Sequence, residues 1–113
     1  MYVEERMYTL VVGKGPEYLK LYEAEGMATQ TRHLPHMVGY YLNEVGPQNL
    51  IVHMWAYDDL NQRDRCRAAL TADPAWQAYL PKVRALVVSQ ETRIMKCAPF
   101  FVERLKKMLS AAK

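Results

Sequence analysis

Val52-His53-Met54-Trp55-Ala56-Tyr57 sets a histidine among aromatic and aliphatic residues, and His53 is the first group in this chain whose type suits chemistry. Imidazole exchanges protons near neutral pH, so His53 is a candidate general base. The competing reading is a histidine satisfied by a hydrogen bond within an interface, and spacing fixes no second catalytic partner that would decide between them. Arg6 alternates with Glu4 and Tyr8 along one strand face. Joined by Arg93 from the last strand, Arg6 can anchor a carboxylate or enolate through its planar donors. Its structural alternative is an ion pair with Glu4, since an unpaired buried charge costs several kcal/mol. Tyr8 and Tyr40 offer hydroxyl donors and Trp55 offers a cavity wall, although tyrosines of this kind more often pack with the hydroxyl satisfied at an edge. Trp76 is expected to anchor a helix to the core.

Other chemistries lack their residues. His33, His36 and His53 do not share one element, so no metal site is expected. Cys66 and Cys97 stand far apart without a C-x-x-C spacing, and reduced thiols are expected. Gly13-Lys14-Gly15-Pro16 has neither the spacing nor the free amides of a phosphate loop, and no G-x-S-x-G nucleophile motif is present. No cofactor is therefore expected.

These residues must be positioned by short elements. Val3 to Val11 alternates and predicts a strand. Pro16 at a helix start, followed by Glu17, predicts a helix to about Ala28, with Tyr18, Leu21, Tyr22, Ala24 and Ala28 facing inward. Gly26 is expected to fray or bend its last turns. Met37 to Glu44 and Asn49 to Tyr57 read as a hairpin around Gly46-Pro47. Asp59 with Gln62 forms a capping pair ahead of a helix through Leu70. Asp73-Pro74 starts another helix bearing Trp76, Tyr79, Leu80 and Val83, bent at Pro81. Gln90 to Lys96 is a short strand, and Phe101, Leu105, Met108, Leu109 and Ala112 form an apolar stripe in a C-terminal helix. The order β-α-β-β-α-β is ferredoxin-like: an α+β domain over residues 1–100 with a four-stranded antiparallel sheet, followed by a basic amphipathic helix over 101–113.

Helices in this topology cover one side of the sheet. Leu50, Val52, Met54 and Ala56 make the more uniformly apolar face of the third strand and are expected beneath them. Ile51, His53, Trp55 and Tyr57, with Glu4, Arg6 and Tyr8 of the first strand, then form an open face rich in aromatic surface. Pairing two such faces in a homodimer would cover it and enclose a mixed cavity suited to a small organic molecule.

Several segments resemble the NIPSNAP family. They are Glu4-x-Arg6-x-Tyr8-Thr9-Leu10, Arg32-His33-Leu34-Pro35, Val38-Gly39-Tyr40-Tyr41, Val52-His53-x-Trp55-x-Tyr57-Asp58-Asp59, Arg67-Ala68-Ala69-Leu70, Asp73-Pro74-x-Trp76 and Ala98-Pro99-Phe100. Their order and spacing cover roughly residues 2 to 100. The resemblance implies a subunit of the dimeric α/β-barrel superfamily, and a family whose biochemical activity is undetermined. The C-terminal helix goes beyond the usual pattern.

Composition narrows the partners. At 113 residues, half of them hydrophobic, the chain suits one core. The net charge is +3, and residues 101–113 account for it with four cations against Glu103. A neutral body with a basic tail does not suit a nucleic-acid binder. No apolar run reaches the roughly 18–20 residues of a membrane helix. Docking of the tail on its own protein is favoured over a membrane surface. With no leader pattern at Met1-Tyr2-Val3-Glu4, a cytoplasmic location is expected.

Overall fold

The computed structural model describes residues 1–112. Four strands, β1 (Tyr2–Leu10), β2 (Met37–Leu42), β3 (Leu50–Tyr57) and β4 (Val87–Lys96), form one antiparallel sheet in the order β2-β3-β1-β4. Between β1 and β2 runs a helical stretch made of α1 (Gly15–Leu21), a π-helical segment (Tyr22–Gly26) and α2 (Met27–His33). The helices α3 (Leu60–Ala72) and α4 (Pro74–Arg84) connect β3 to β4, and a 3₁₀ turn (Pro99–Phe101) leads into α5 (Val102–Ala111).

The helix starts follow local chemistry. Asp59 accepts from the Gln62 amide at 2.7 Å, and the Gln62 side chain returns to accept from the Asp58 amide at 2.7 Å. Asp73 accepts from the Ala75 amide at 2.9 Å, with Pro74 at the first helical position. Two amides that no helical carbonyl can reach are thereby satisfied. The α4 helix continues through Pro81 to Arg84, and β4 begins at Val87, three residues ahead of the expected start.

The expected faces of the sheet are exchanged. Ile51, His53, Trp55 and Tyr57 are buried, and the aliphatic and aromatic ones pack with Tyr18, Tyr22, Leu34, Leu70, Trp76 and Tyr79 beneath the helices. Leu50, Val52 and Met54 lie on the other face and are only half-buried. The physical reason lies in the helices, whose large rings match the aromatic side of β3. Arg63 from α3 also neutralises Glu4, which removes the objection to burying that side. Ala56 on the second face is covered by Leu105 and Leu109 of α5, beside Val3, Val38 and Cys97. The C-terminal helix thus docks on its own sheet, opposite the other helices. Phe101 and Met108 of the expected stripe are exposed, and Lys113 of the basic tail lies outside the described residues.

The first helix also differs from expectation. Its helical path extends to His33, and the π segment adds a residue to one turn, which rotates everything after it. Ala24 and Ala28 therefore point outward, while Gly26, Thr29 and Gln30 are buried. Gly26 marks a close approach: a Cβ there would stand 2.7 Å from the Tyr79 ring and 3.1 Å from Tyr22.

Candidate functional site

Strand register builds the site. Tyr40, His53 and Arg6 are successive cross-strand partners, so they form one row across three strands on the helix-covered face. Glu4 and Tyr8 flank Arg6 on the same face. Glu4 is 0 % exposed, and both of its oxygens are taken. Arg6 Nη1 donates to Oε2 at 2.8 Å, while Arg63 donates through Nε to Oε1 at 3.0 Å and through Nη2 to Oε2 at 3.1 Å. Burial pushes the Glu4 carboxyl up, but the hydrogen bonds from Arg63 and Arg6 and the charge of Arg67 outweigh it. The pKa lies below the ordinary glutamate value.

Arg6 Nε donates to the Tyr8 hydroxyl at 2.9 Å, and the Tyr18 and Tyr40 hydroxyls share a hydrogen bond of 2.8 Å. Tyr22 donates to Gln30 Oε1 at 2.6 Å. Tyr40 is stacked between Tyr22 and His53, with ring centroids 4.6 Å away on each side. Tyr8 meets the His53 ring edge-on at 4.9 Å. His53 is 1 % exposed. Its Nδ1 accepts from Trp55 Nε1 at 2.7 Å, and its Nε2 is buried with no partner among the described residues. Burial and the charges of Arg6 and Arg67 together outweigh the pull of Glu4 and bring its pKa down to about 3. At neutral pH the ring is uncharged.

Beside this row lies a cavity of about 160 Å³ between the sheet and the helices. Arg6, Tyr8, Tyr40 and His53 line it, so four of the residues singled out in the sequence share one space. Trp55 stands behind His53 as its hydrogen-bond donor and does not reach the cavity. Arg93 is on the opposite face of the sheet, where it pairs with Glu5 through Nη2 at 2.6 Å and Nε at 2.7 Å. The structure therefore removes Arg93 from the candidate site, because strand alternation places the Glu5–Arg93 pair opposite the Arg6 row. The cavity lies within this chain, beneath its own helices.

Sequence reasoning missed Arg67, which lines the cavity from α3 and makes no hydrogen bond or ion pair with any described residue. Burial and the neighbouring Arg6 lower its pKa, with Glu4 opposing. The available signal was the Arg63/Arg67 spacing, which puts two guanidiniums on one helix face toward a buried acid. Trp76 and Tyr79, taken as core, also form cavity wall, and Arg84 stands exposed at its rim. No group of three or more metal-ligating side chains occurs among the described residues. No described helix is long and apolar enough to cross a membrane.

The NIPSNAP family model matches residues 3–101. This chain belongs to the NIPSNAP family. It is similar to a crystal structure of a NIPSNAP family protein of unknown function from Agrobacterium tumefaciens. The two share 48% identity over 88% of this chain and 90% of that one, with a TM-score of 0.86. It is 33% identical over 102 residues to human Protein NipSnap homolog 3A, covering 88% of this chain. The chain spans about 40% of the length of that relative. The crystal structure of an antibiotic biosynthesis monooxygenase shares the fold with this NIPSNAP chain, at 17% identity and a TM-score of 0.61 over 88% of it and all of that chain.

Proposed function

We propose that this NIPSNAP chain is a homodimer in which each subunit binds a small organic molecule in the cavity between its sheet and its helices. The observation that carries the binding reading is the pairing of that cavity with a buried, partnerless His53 Nε2. A buried donor without an acceptor costs about 1–3 kcal/mol, and a ligand is a natural way to recover it. Room is sufficient for a six-membered ring with a small substituent, since dry cavities of about 150 Å³ accept benzene. The other reading, a non-catalytic interaction or scaffold protein, asks for both His53 and Arg6 to be fully satisfied with no open volume beside them. Arg6 is bonded to Glu4 and Tyr8 but stands beside the open cavity, and His53 Nε2 has no partner among the described residues, so neither meets that condition.

What supports the dimer is the second face of the sheet. Met7, Leu50, Val52 and Met54 remain half-buried there, because α5 covers only the end near Ala56. A second sheet laid on this stripe would complete the burial, at the roughly 10 Å spacing of packed sheets. Transformation of the ligand without a metal is the further step, for which the fold shared with the monooxygenase structure is an analogy only.

A native mass spectrum of the purified protein, set against its denatured spectrum, tests both parts. A dimer carrying a small molecule that is lost on denaturation is expected. A monomer would overturn the facing sheets. An empty protein that takes up no small-molecule probe would overturn the cavity reading. Val52→Glu should convert the dimer to monomer while leaving cavity binding in place.

A further inference from the structure

The donor and acceptor count of the cavity specifies its ligand more narrowly than its size does. Arg6, Arg67 and Arg84 line it, and no aspartate or glutamate does. The nearest carboxylate, Glu4, already has both oxygens engaged by Arg6 and Arg63. Arg67 keeps a guanidinium with no anion of its own, partly withdrawn from water. Taking a cation out of water without a counter-charge is costly, so the surplus on this wall calls for an anion.

The neutral groups point the same way. Indole N–H can only donate, so the 2.7 Å contact from Trp55 makes His53 Nδ1 the acceptor. In the neutral ring the proton must then sit on Nε2, the buried atom that has no partner. A base needs a free lone pair, and His53 has none to offer: one nitrogen receives Trp55 and the other carries hydrogen. Tyr8 is in a similar state. Its oxygen accepts from Arg6, whose guanidinium only donates, so the phenolic proton is unspent. The Tyr18–Tyr40 pair uses one of its two hydroxyl protons and leaves the other. The lining thus presents unspent N–H and O–H donors beside a surplus guanidinium, and its acceptors are neutral amides and hydroxyls such as Gln30, Gln90 and Thr71. Flat rings form the walls, with the Tyr22–Tyr40–His53 stack on one side and Trp76 against Tyr79 at 5.1 Å on another.

We infer that the ligand is a small planar carboxylate or enolate, held by Arg67 and met by His53 as a neutral Nε2–H donor instead of a base. This rests on the small-molecule reading above and sharpens it. The role first expected of His53, proton abstraction, passes to stabilisation of an oxyanion, and the donors are in place before the ligand arrives. Arg84 at the rim adds a positive charge on the way in.

Three probes of nearly equal shape separate the possibilities: benzoate, benzamide and benzylamine, titrated calorimetrically into the full chain. Benzoate is expected to bind at least tenfold more tightly than either of the others. Arg67→Gln should weaken it by about 10–100-fold, the usual worth of a charged hydrogen bond. An unchanged far-ultraviolet circular dichroism spectrum shows that the variant is folded. Nitrogen-15 spectra of the imidazole should report the Nε2–H form in the free protein and a downfield Nε2 proton when benzoate is added. Equal or tighter binding of benzamide or benzylamine, or a retained native ligand that is neutral or cationic, overturns the anion class and leaves small-molecule binding standing. An Nδ1–H ring overturns the donor role. Binding of none of the three, with nothing retained in the native mass spectrum, overturns the cavity reading itself.

Discussion

Glu4 and Glu5 follow one another in β1 and each pairs with arginine, yet they face opposite sides of the sheet. Glu4 is sealed beneath the helices, with two arginines on its oxygens and a third close by. Glu5 meets Arg93 on the second face, where the arginine side chain is 62 % exposed. Both pairs have hydrogen bonds of ordinary length, so distance does not distinguish them. What differs is the cost of leaving one member alone. Water can replace Arg93 for Glu5, whereas without Glu4 the Arg6 guanidinium beneath the helices keeps only the Tyr8 hydroxyl and Arg63 keeps Asp64. Within one chain, the helix-covered face is therefore a rigid, mutually dependent assembly, and the second face, until a partner sheet covers it, is a tolerant surface.

Substitutions can break or sharpen that contrast. Glu4→Ala removes the carboxylate that Arg6 and Arg63 share and is expected to cost about 3–5 kcal/mol in denaturant unfolding. The pH dependence of stability comes next. The His53 pKa is about 3 in the folded protein, against about 6.5 in an unfolded chain. Between those values the unfolded chain binds the extra proton, so stability is present above pH 6.5 and falls as pH drops toward 3. The slope approaches about 1.4 kcal/mol per pH unit. His53→Gln should flatten it between about pH 6.5 and 4.5, above the range where carboxylates contribute. Glu4 and Asp73, both held below their ordinary values, add further loss only as pH falls through the carboxylate range.

Two glycines give a matched pair. A Cβ on Gly26 would drive into the buried Tyr79 and Tyr22 rings, so Gly26→Ala should cost about 1–2 kcal/mol after the gain in helix propensity. Gly39, on the second face, would meet Tyr41 at 2.6 Å and the end of Met54 at 3.0 Å. Tyr41 is exposed and can swing away, so Gly39→Ala should change thermal stability by no more than about 0.5 kcal/mol. In the monomeric chain Arg93→Ala should cost less than about 1 kcal/mol, and less again at high salt. A larger loss in the undissociated protein would come from the partner sheet proposed to cover this face.

The sequence revealed those parts of the fold that depend on neighbours along the chain. Asp59 and Asp73 announce their helices because a cap is a contact across three residues, and strand alternation placed Glu4, Arg6 and Tyr8 together. The choice of buried face was not legible. β3 is apolar on both sides, and what decides between them is the aromatic content of helices far along the chain. Arg93 was assigned to the wrong face because its side depends on the register of β4 against β1. Arg67 escaped notice because its lack of an anion is a property of three elements meeting: β1, α3 and the cavity between them.

The five-residue π turn from Tyr22 to Gly26 has a further consequence for how this domain can change. Removing one residue there would restore an ordinary α-helix, which is locally the more favourable form. It would also turn the downstream face by about 100°, carrying Gln30 away from Tyr22 and Gly26 away from Tyr79. Insertions and deletions of this kind are tolerated in surface loops, yet here a single codon would exchange a more regular helix for a cavity that has lost part of its wall.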